Sequence, residues 1–175
     1  STYYAPEPCG NAPYVTGAAE YLASVGHDVT VFAGLPHYPA WRVAPPPWEM
    51  REERNGVTVV RKRHYIPRTQ GAAKRAAYEL SLYLSGALAR ADTKPDVIMG
   101  VVPSLASGLL ARTMSRRLDV PYALVFQDLM GQGAAQSGVS GGRRVASLVR
   151  SVELRLARDA SMIGVVADGF REYFS

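Results

Sequence analysis

Apolar residues recur along this chain at two periods, which alternate from one segment to the next. A spacing of three to four residues is typical of amphipathic helices, and it predicts helices over 11–25, 72–91, 104–118 and 144–158. Alternating or continuous apolar runs are typical of strands, and they predict strands over 27–33, 57–63, 97–102, 121–127 and 160–166. Most of these strands are apolar enough to be buried on both faces. We therefore predict an α/β fold with a doubly wound, mainly parallel sheet flanked by helices.

The segments between these elements carry turn and loop signals. A short strand over 49–54 leads into the Asn55-Gly56 pair, which is typical of a two-residue hairpin turn. A proline-rich loop spans 35–48, and a glycine-rich loop spans 131–142. We expect Asp168 to cap a last helix near the end of the chain.

The predicted helix over 72–91 allows two interpretations. Lys74 and Arg75 stand at its start, and leucines and tyrosines follow at helical spacing. We expect this apolar stripe to pack into the core, as most such stripes do. The alternative is that a basic, aromatic-bearing helix of this kind lies on an anionic bilayer.

The net charge of the chain is +5, and it is unevenly distributed. Nine Lys and Arg residues face three Glu residues between positions 42 and 75, whereas the rest carries 11 basic and 12 acidic residues. A localised basic zone suits an anionic partner such as lipid headgroups, a diphosphate or nucleic acid. A solvated basic face without a partner is the alternative. No basic sheet pattern with interleaved aromatics is present, so nucleic acid is the partner least favoured.

Composition and motifs further narrow the classes of protein to which this chain can belong. The apolar fraction of 47% and the charged fraction of 20% are typical of globular proteins. The single cysteine, Cys9, cannot form an internal disulfide, which favours a reducing cytosol. The three histidines do not have metal-ligand spacing, so we predict no metal site. No Gly-x-Gly-x-x-Gly follows a predicted strand, which disfavours a dinucleotide-dependent oxidoreductase.

The chain starts with a loop broken by proline and glycine, over 1–13, that runs straight into the first helix. In α/β proteins such a loop follows a first strand, so we expect that strand to be truncated here. Ligands of such folds bind beyond the carboxyl ends of the strands. The residues that follow the predicted strands are therefore the functional candidates, and they lie at 3–11, 34–42, 103–104 and 127–133.

The order of these features resembles the N-terminal domain of a GT-B glycosyltransferase, and within that fold the family-four enzymes of the colanic-acid type. The segments that carry the resemblance are Tyr3-Tyr4-Ala5-Pro6-Glu7 with Gly10 and Pro13-Tyr14, Leu22-Ala23-Ser24-Val25-Gly26-His27-Asp28-Val29-Thr30-Val31, Leu35-Pro36-His37-Tyr38-Pro39-Ala40-Trp41-Arg42, Asn55-Gly56-Val57-Thr58-Val59, Lys94-Pro95-Asp96-Val97-Ile98 and Gln127-Asp128.

The resemblance implies two Rossmann-like domains that face each other across a cleft, an N-terminal one for the acceptor and a C-terminal one for the nucleotide-sugar donor. We expect residues 1–175 to form the single acceptor-side domain, with the donor-binding domain absent from this chain. By itself the chain should then be unable to turn over substrate. The resemblance implies no cofactor, since a nucleotide-diphosphate sugar serves as the donor substrate.

Two loops are predicted to bind substrate. Gly10 and Asn11 precede the first helix, where a backbone without a Cβ suits the diphosphate or the transferred sugar; an ordinary tight turn is the alternative. A second set lies in the loop after the second predicted strand, where aromatic faces stack on sugars and an arginine grips phosphate. Its members are His37, Tyr38, Trp41 and Arg42. A loop packed down by its own aromatics is the alternative there.

The candidate catalytic residues are Gln127 and Asp128, which follow a buried strand. In the resembling enzymes a polar residue near this point contacts the reacting sugar or the acceptor hydroxyl, and a carboxylate there could act as a base. A turn aspartate is the alternative. Relatives commonly have acidic residues soon afterwards, where this chain has Gly131-Gln132-Gly133. Ser104 is a substrate-binding candidate, although a helix N-cap is the role we favour for it.

The sequence thus predicts the acceptor-binding domain of a retaining glycosyltransferase that moves a sugar from a nucleotide-sugar donor to a cell-surface polysaccharide or lipid-linked precursor. Two alternatives stay open: a GT-B sugar epimerase or phosphorylase domain, and a non-catalytic basic module that binds membrane surfaces. The expected location is the cytoplasm. A more specific alternative is the inner face of the plasma membrane, where the protein would contact anionic lipid peripherally. No nucleic-acid partner is expected.

Overall fold

The structure, a computed structural model, describes residues 1–8, 10–37, 47–69, 71–90, 92–102, 104–129 and 142–174, with side chains from 145 onward in the last segment. The chain divides into two compact units, Ser1–Thr93 and Lys94–Ser175. Each unit contains a three-stranded sheet with helices packed on it. The α/β class with parallel strands flanked by helices is confirmed, whereas a single domain over 1–175 stays a prediction.

The first unit contains two helices and three strands. Their bounds are α1 (Ala12–Ser24), β1 (Val29–Ala33), β2 (Glu49–Arg54), β3 (Val57–Lys62) and α2 (Ala72–Ala87). β3 is the central strand, parallel to β1 and antiparallel to β2. The hairpin turn between β2 and β3 has positive φ at Asn55 (48°) and Gly56 (79°), as the Asn-Gly pair predicts.

The first residues of the chain run alongside β1. The Ser1 amino group donates to the Phe32 carbonyl at 2.9 Å, and the Gly34 amide donates to the Thr2 carbonyl at 3.1 Å. The two bonds advance in the same direction along both segments, as in a parallel pair. A Cβ at Gly34 would lie 2.7 Å from the Thr2 carbonyl oxygen, so this close approach depends on glycine.

Helix α2 only partly meets the expectation that its apolar stripe is core. Tyr78 and Leu82 are buried on one face of the helix, together with Ser85 and Gly86. The leucines at 80, 84 and 88 lie on the opposite side and are exposed. The sequence could not separate these faces because apolar residues surround most of the helix.

The second unit is wound in parallel throughout the strands that the structure describes. Its elements are β4 (Ile98–Val102), α3 (Leu105–Leu118), β5 (Tyr122–Phe126), α4 (Gly142–Asp159), β6 (Met162–Val165), a 3₁₀ turn (Asp168–Phe170) and α5 (Arg171–Phe174). β5 lies between β4 and β6. Its core includes Leu124 and Phe126 from the sheet and Leu156 from α4.

The predicted helices and strands are all present, with ends displaced by a few residues. Asp168 lies in the first turn of the 3₁₀ segment, whose N-cap is Ala167, so the cap predicted at Asp168 is one residue out. The glycine-rich loop lies outside the described residues up to position 141, and α4 begins at Gly142. No helix in the described parts combines the length and hydropathy needed to cross a bilayer.

Candidate functional site

The N-terminus of α1 holds the first two predicted site residues. Gly10 has φ of 66°, a left-handed conformation that favours glycine, and Asn11 occupies the N-cap position. Asn11 is 8% exposed, and neither its Nδ2 nor its Oδ1 has a hydrogen-bond partner in the described structure. Its side chain does not cap the helix, although this is the usual role of an N-cap asparagine.

Tyr3 connects this helix start with His37. A Cβ at Gly10 would lie 3.8 Å from Cδ2 of Tyr3, and the Tyr3 ring centroid is 5.5 Å from that of His37. The loop before α1 and the loop after β1 therefore meet through one aromatic ring. Of the predicted substrate contacts, the structure brings Gly10, Asn11 and His37 into one neighbourhood.

His37 is buried and is held from three directions. Its amide donates to Oε1 of the buried Glu7 at 2.9 Å, and its Nδ1 donates to the Leu35 carbonyl at 2.6 Å. The Tyr78 hydroxyl lies 3.3 Å from Nε2, which accepts from it once Nδ1 carries the proton. Burial lowers the pKa of His37 and favours this neutral form. In this structure His37 fixes the loop, and its contact with a sugar stays a prediction.

His64 and Tyr78 complete this buried cluster and were not predicted as part of it. The His64 ring lies 5.7 Å from His37 and 5.3 Å from Tyr78 between centroids. Burial lowers the pKa of His64 to about 4, with a smaller effect from His37. Burial also raises the pKa of Tyr78 well above its usual value. The sequence places His64 in the basic zone, but its period-two continuation of β3 after Lys62 was a signal of burial.

Glu7 is the other residue of the cluster that sequence reasoning did not single out. It lies between two prolines in the opening loop, a position that looks solvent-exposed in sequence. In the structure it is buried and reaches across to the backbone of His37. Pro6 and Pro8, on either side of Glu7, have no backbone N–H that could donate to its carboxylate. The carboxylate therefore needs a partner from elsewhere in the chain, and this was the available signal in the sequence.

The remaining predicted contacts of this loop are Tyr38, Trp41 and Arg42, and all three lie outside the described residues. Cys9 lies outside them as well. Their proposed stacking and phosphate-binding roles stay predictions.

The second unit brings its three candidate residues to one edge of its sheet. Val102 and Phe126 are paired at the carboxyl ends of β4 and β5, and the Gln127 amide donates to the Val102 carbonyl at 3.0 Å. Ser104 follows β4 as the buried N-cap of α3, where its carbonyl accepts from the Ser107 amide at 3.1 Å. The expected N-cap position is therefore correct, and its substrate contact stays a prediction.

Gln127 and Asp128 differ in their surroundings. The Oε1 atom of Gln127 is buried, and it has no hydrogen-bond partner in the described structure. Asp128 is exposed, and its Oδ1 accepts from the Leu129 amide at 2.8 Å, a local bond typical of a turn aspartate. Its second oxygen leaves acceptor capacity for a ligand hydroxyl. The catalytic role of this pair stays a prediction.

The carboxamides of Asn11 and Gln127, like Nε2 of His64, have buried atoms that lack a hydrogen-bond partner among the described residues. Leaving a buried polar group without a partner costs about 1–3 kcal/mol. Such groups in native proteins mark ligand sites, bound water or stored strain. Neutral amides can both donate and accept, which suits hydroxyl-rich or phosphate-bearing ligands. Over the described residues no group of three or more His, Cys, Asp or Glu side chains is placed to hold a metal.

Comparison with known proteins identifies the family. The sequence profile of the glycosyl transferase 4-like domain matches residues 10–175, which is nearly the whole chain. The chain belongs to this family. A colanic acid biosynthesis glycosyl transferase of Escherichia coli K12, WcaI, is 32% identical over 160 residues, which cover 86% of the chain and 39% of that protein. The chain thus spans about two fifths of this relative.

A solved structure supports the fold independently. Sucrose-phosphate synthase of Thermosynechococcus elongatus superposes with a TM-score of 0.63 at 17% identity, over 98% of this chain and 40% of that one. The resemblance stated from the sequence is confirmed: this glycosyl transferase 4-like domain has the α/β architecture of a GT-B N-terminal domain. Its class as a glycosyl transferase domain rests on the family match and on the similarity to WcaI.

Proposed function

We propose that this domain is the acceptor side of a retaining glycosyltransferase. The full protein would move a sugar from a nucleotide-diphosphate sugar to a polysaccharide or lipid-linked acceptor. Family membership supports the reaction class. The similarity to WcaI, a colanic acid biosynthesis glycosyl transferase, supports a polysaccharide precursor as the acceptor.

The single observation that carries the proposal is the unpartnered amide of Asn11 at the N-terminus of α1. The first amides of a helix carry partial positive charge and suit anions. Gly10 leaves the approach open, since a Cβ there would meet only Tyr3 at 3.8 Å. A sugar phosphate would satisfy the carboxamide by donating hydroxyl hydrogens to Oδ1 and accepting from Nδ2. Stabilisation of charge on the departing diphosphate by such groups is a main source of rate in this class of reaction.

Within the second unit, we propose that Ser104, Gln127 and Asp128 contact substrate at the edge of the sheet. The buried Oε1 of Gln127 can accept a hydrogen bond from a sugar hydroxyl, and it has no competing partner in the described structure. Asp128 would accept the proton or a hydrogen bond of the attacking hydroxyl. We infer the retaining stereochemistry from the family resemblance alone.

The test is sugar transfer by the full-length protein, with labelled nucleotide sugars and lipid-linked acceptors, for Asn11→Ala. We expect kcat/KM to fall about 10- to 100-fold, because about 1–3 kcal/mol of ligand hydrogen bonding is lost. Since the Asn11 side chain makes no cap bond, the thermal midpoint should not fall. Tyr21→Ala, on the exposed face of the same helix, is the control that should keep full activity.

Three results would contradict the proposal. One is the absence of transfer from every nucleotide sugar tried, and another is unchanged kcat/KM in Asn11→Ala. The third is inversion of the anomeric configuration in the product, followed by NMR. Release of an epimerised sugar from the nucleotide sugar without any acceptor would instead identify the epimerase alternative, and release of a sugar 1-phosphate from a glycan on addition of inorganic phosphate would identify the phosphorylase alternative.

A further inference from the structure

The outward face of α2 is an apolar surface that the described structure leaves uncovered. Leu80, Leu84 and Leu88 lie four residues apart, so they follow one another along one side of the helix. They are 58%, 54% and 64% exposed. Ala73, Ala76 and Ala77 are exposed on the same side of the helix. We call this set of six residues the leucine face, and it carries no charge.

The leucine face is not the side of α2 that packs into the core of the first unit. The opposite side of α2 already packs on the first unit, where Tyr78, Leu82 and Ser85 are buried. The Ser85 hydroxyl is further fixed by donating to the Arg63 carbonyl at 2.6 Å. Turning the leucines inward would therefore expose an established core. A stripe of this length exposed on a helix indicates an interaction surface.

One flank of the leucine face is cationic and aromatic. Residues 63–65 run beside α2, because the Tyr65 amide donates to the Ser81 hydroxyl at 2.9 Å and Arg63 accepts from Ser85. The side chains of Arg63 and Tyr65 are exposed there. Lys74 lies about two helical turns before Ser81 on the same side of α2. It therefore belongs to the same flank, and it is also exposed.

The remaining charges of α2 nearly cancel. Arg75 pairs with Glu79 at 2.6 Å on the other flank. Arg61 and Lys62, which belong to the basic zone in sequence, are buried against Glu52 and Glu49. Arg63 and Lys74 are thus exposed positive charges along this flank of the leucine face.

We propose that the leucine face docks on an anionic lipid bilayer, with the three leucines at the acyl boundary and Arg63 and Lys74 on the headgroups. An apolar helix face flanked by cations and an interfacial tyrosine is the pattern of helices that lie in the membrane plane. Each cation near an anionic surface adds to the binding. In a dimer formed through the leucine face, the cationic flanks of the two copies would lie close together and repel each other. An anionic bilayer would attract them instead. The proposal does not depend on sugar transfer.

The test measures co-sedimentation of the full chain with vesicles of phosphatidylcholine and phosphatidylglycerol at 3:1. Leu84→Gln with Leu88→Gln should lower the partition coefficient at least about tenfold, since two large apolar side chains no longer enter the boundary. The matched control is Tyr21→Gln with Val25→Gln. These residues of the α1 segment are 65% and 54% exposed but have no cationic neighbours on their helix. Binding by this control should be unchanged. Circular dichroism confirms that both variants are folded.

A second arm tests the charges. Arg63→Ser with Lys74→Ser should weaken binding to the anionic vesicles about 10-fold or more, and added NaCl should weaken the parent chain similarly. Vesicles of pure phosphatidylcholine should bind parent and variant equally weakly. The proposal is overturned if the leucine and control variants bind alike, or if binding ignores lipid charge. It is also overturned if the parent sediments as a dimer that the leucine variant abolishes without a change in vesicle binding.

Discussion

At the scale of single residues, the fold of the first unit depends on a buried arginine. Arg61 is 1% exposed, and its guanidinium donates to the Gly34 carbonyl at 3.0 Å, to the Ala5 carbonyl and to Oε1 of Glu52 at 2.8 Å. The carbonyls belong to the loop after β1 and to the loop before α1. One side chain therefore joins the two loops that position Asn11 and His37.

We predict that Arg61→Met destabilises the protein by about 3 kcal/mol. The substitution keeps most of the apolar stem but leaves two loop carbonyls without their donor, and it leaves Glu52 without its cation. Arg63→Met, two residues along the same strand direction but exposed, should change the free energy of unfolding by less than about 0.5 kcal/mol. Urea unfolding followed by circular dichroism measures both. Equal effects of the two substitutions would show that the buried network contributes little.

Residue burial was the least predictable property of this chain. Arg61, Lys62 and His64 form part of a basic zone that looks like a solvated surface in sequence. All three are buried: Arg61 and Lys62 lie in β3, the central strand of its sheet, which α1 and α2 both contact, and His64 packs against His37 and Tyr78. A sequence pattern gives the charge of each side chain, but the partners that make its burial tolerable come from distant segments.

At the scale of elements, prediction was more successful, because each element carries its period within its own residues. β3 and the Asn55-Gly56 turn follow directly from an apolar run and a turn pair. Which residues follow a strand or precede a helix is also a local feature, and Gly10, Asn11 and Gln127 were proposed as site residues in this way; their contact with a ligand stays a prediction. That the carboxamides of Asn11 and Gln127 have buried atoms without partners in the described structure was not predictable, since it depends on how helices and strands pack around them.

Helix α3 packs on β4 at a distance that only glycine permits. A Cβ at Gly100 would lie 2.9 Å from both the Ala111 Cβ and the Leu124 Cδ2. We predict that Gly100→Ala lowers the free energy of unfolding by about 1–3 kcal/mol, as other overpacked cores do. Gly164→Ala in β6 is the matched control, because its Cβ would meet its nearest neighbour at 3.7 Å. Thermal unfolding midpoints compare the two, and a control as unstable as Gly100→Ala would contradict the packing argument.

At the scale of the whole molecule, the two compact units differ in how they can respond to acid. The three histidines of the chain all lie in the first unit. Two of them, His37 and His64, are buried together. The pKa of His64 falls from 6.5 to about 4 on burial, and the pKa of His37 is lowered as well. Folding therefore favours the neutral imidazoles, whereas the unfolded chain takes up protons below pH 6.5.

The sign of the effect follows from linkage. A group whose folded pKa is lowered contributes fully above the unfolded pKa, and its contribution is lost as the pH falls from about 6.5 to 4. His64 alone should cost the first unit about 3 kcal/mol over this window, at about 1.4 kcal/mol per pH unit. The second unit has no histidine and so lacks this contribution.

Hydrogen exchange, corrected for intrinsic rates, should show amides of β3 losing protection over this window while amides of β5 lose less. His64→Gln should flatten the loss in β3, whereas His27→Gln, at an exposed position, should leave it intact. If β3 loses protection to the same extent in His64→Gln, the buried imidazole is not the group that titrates.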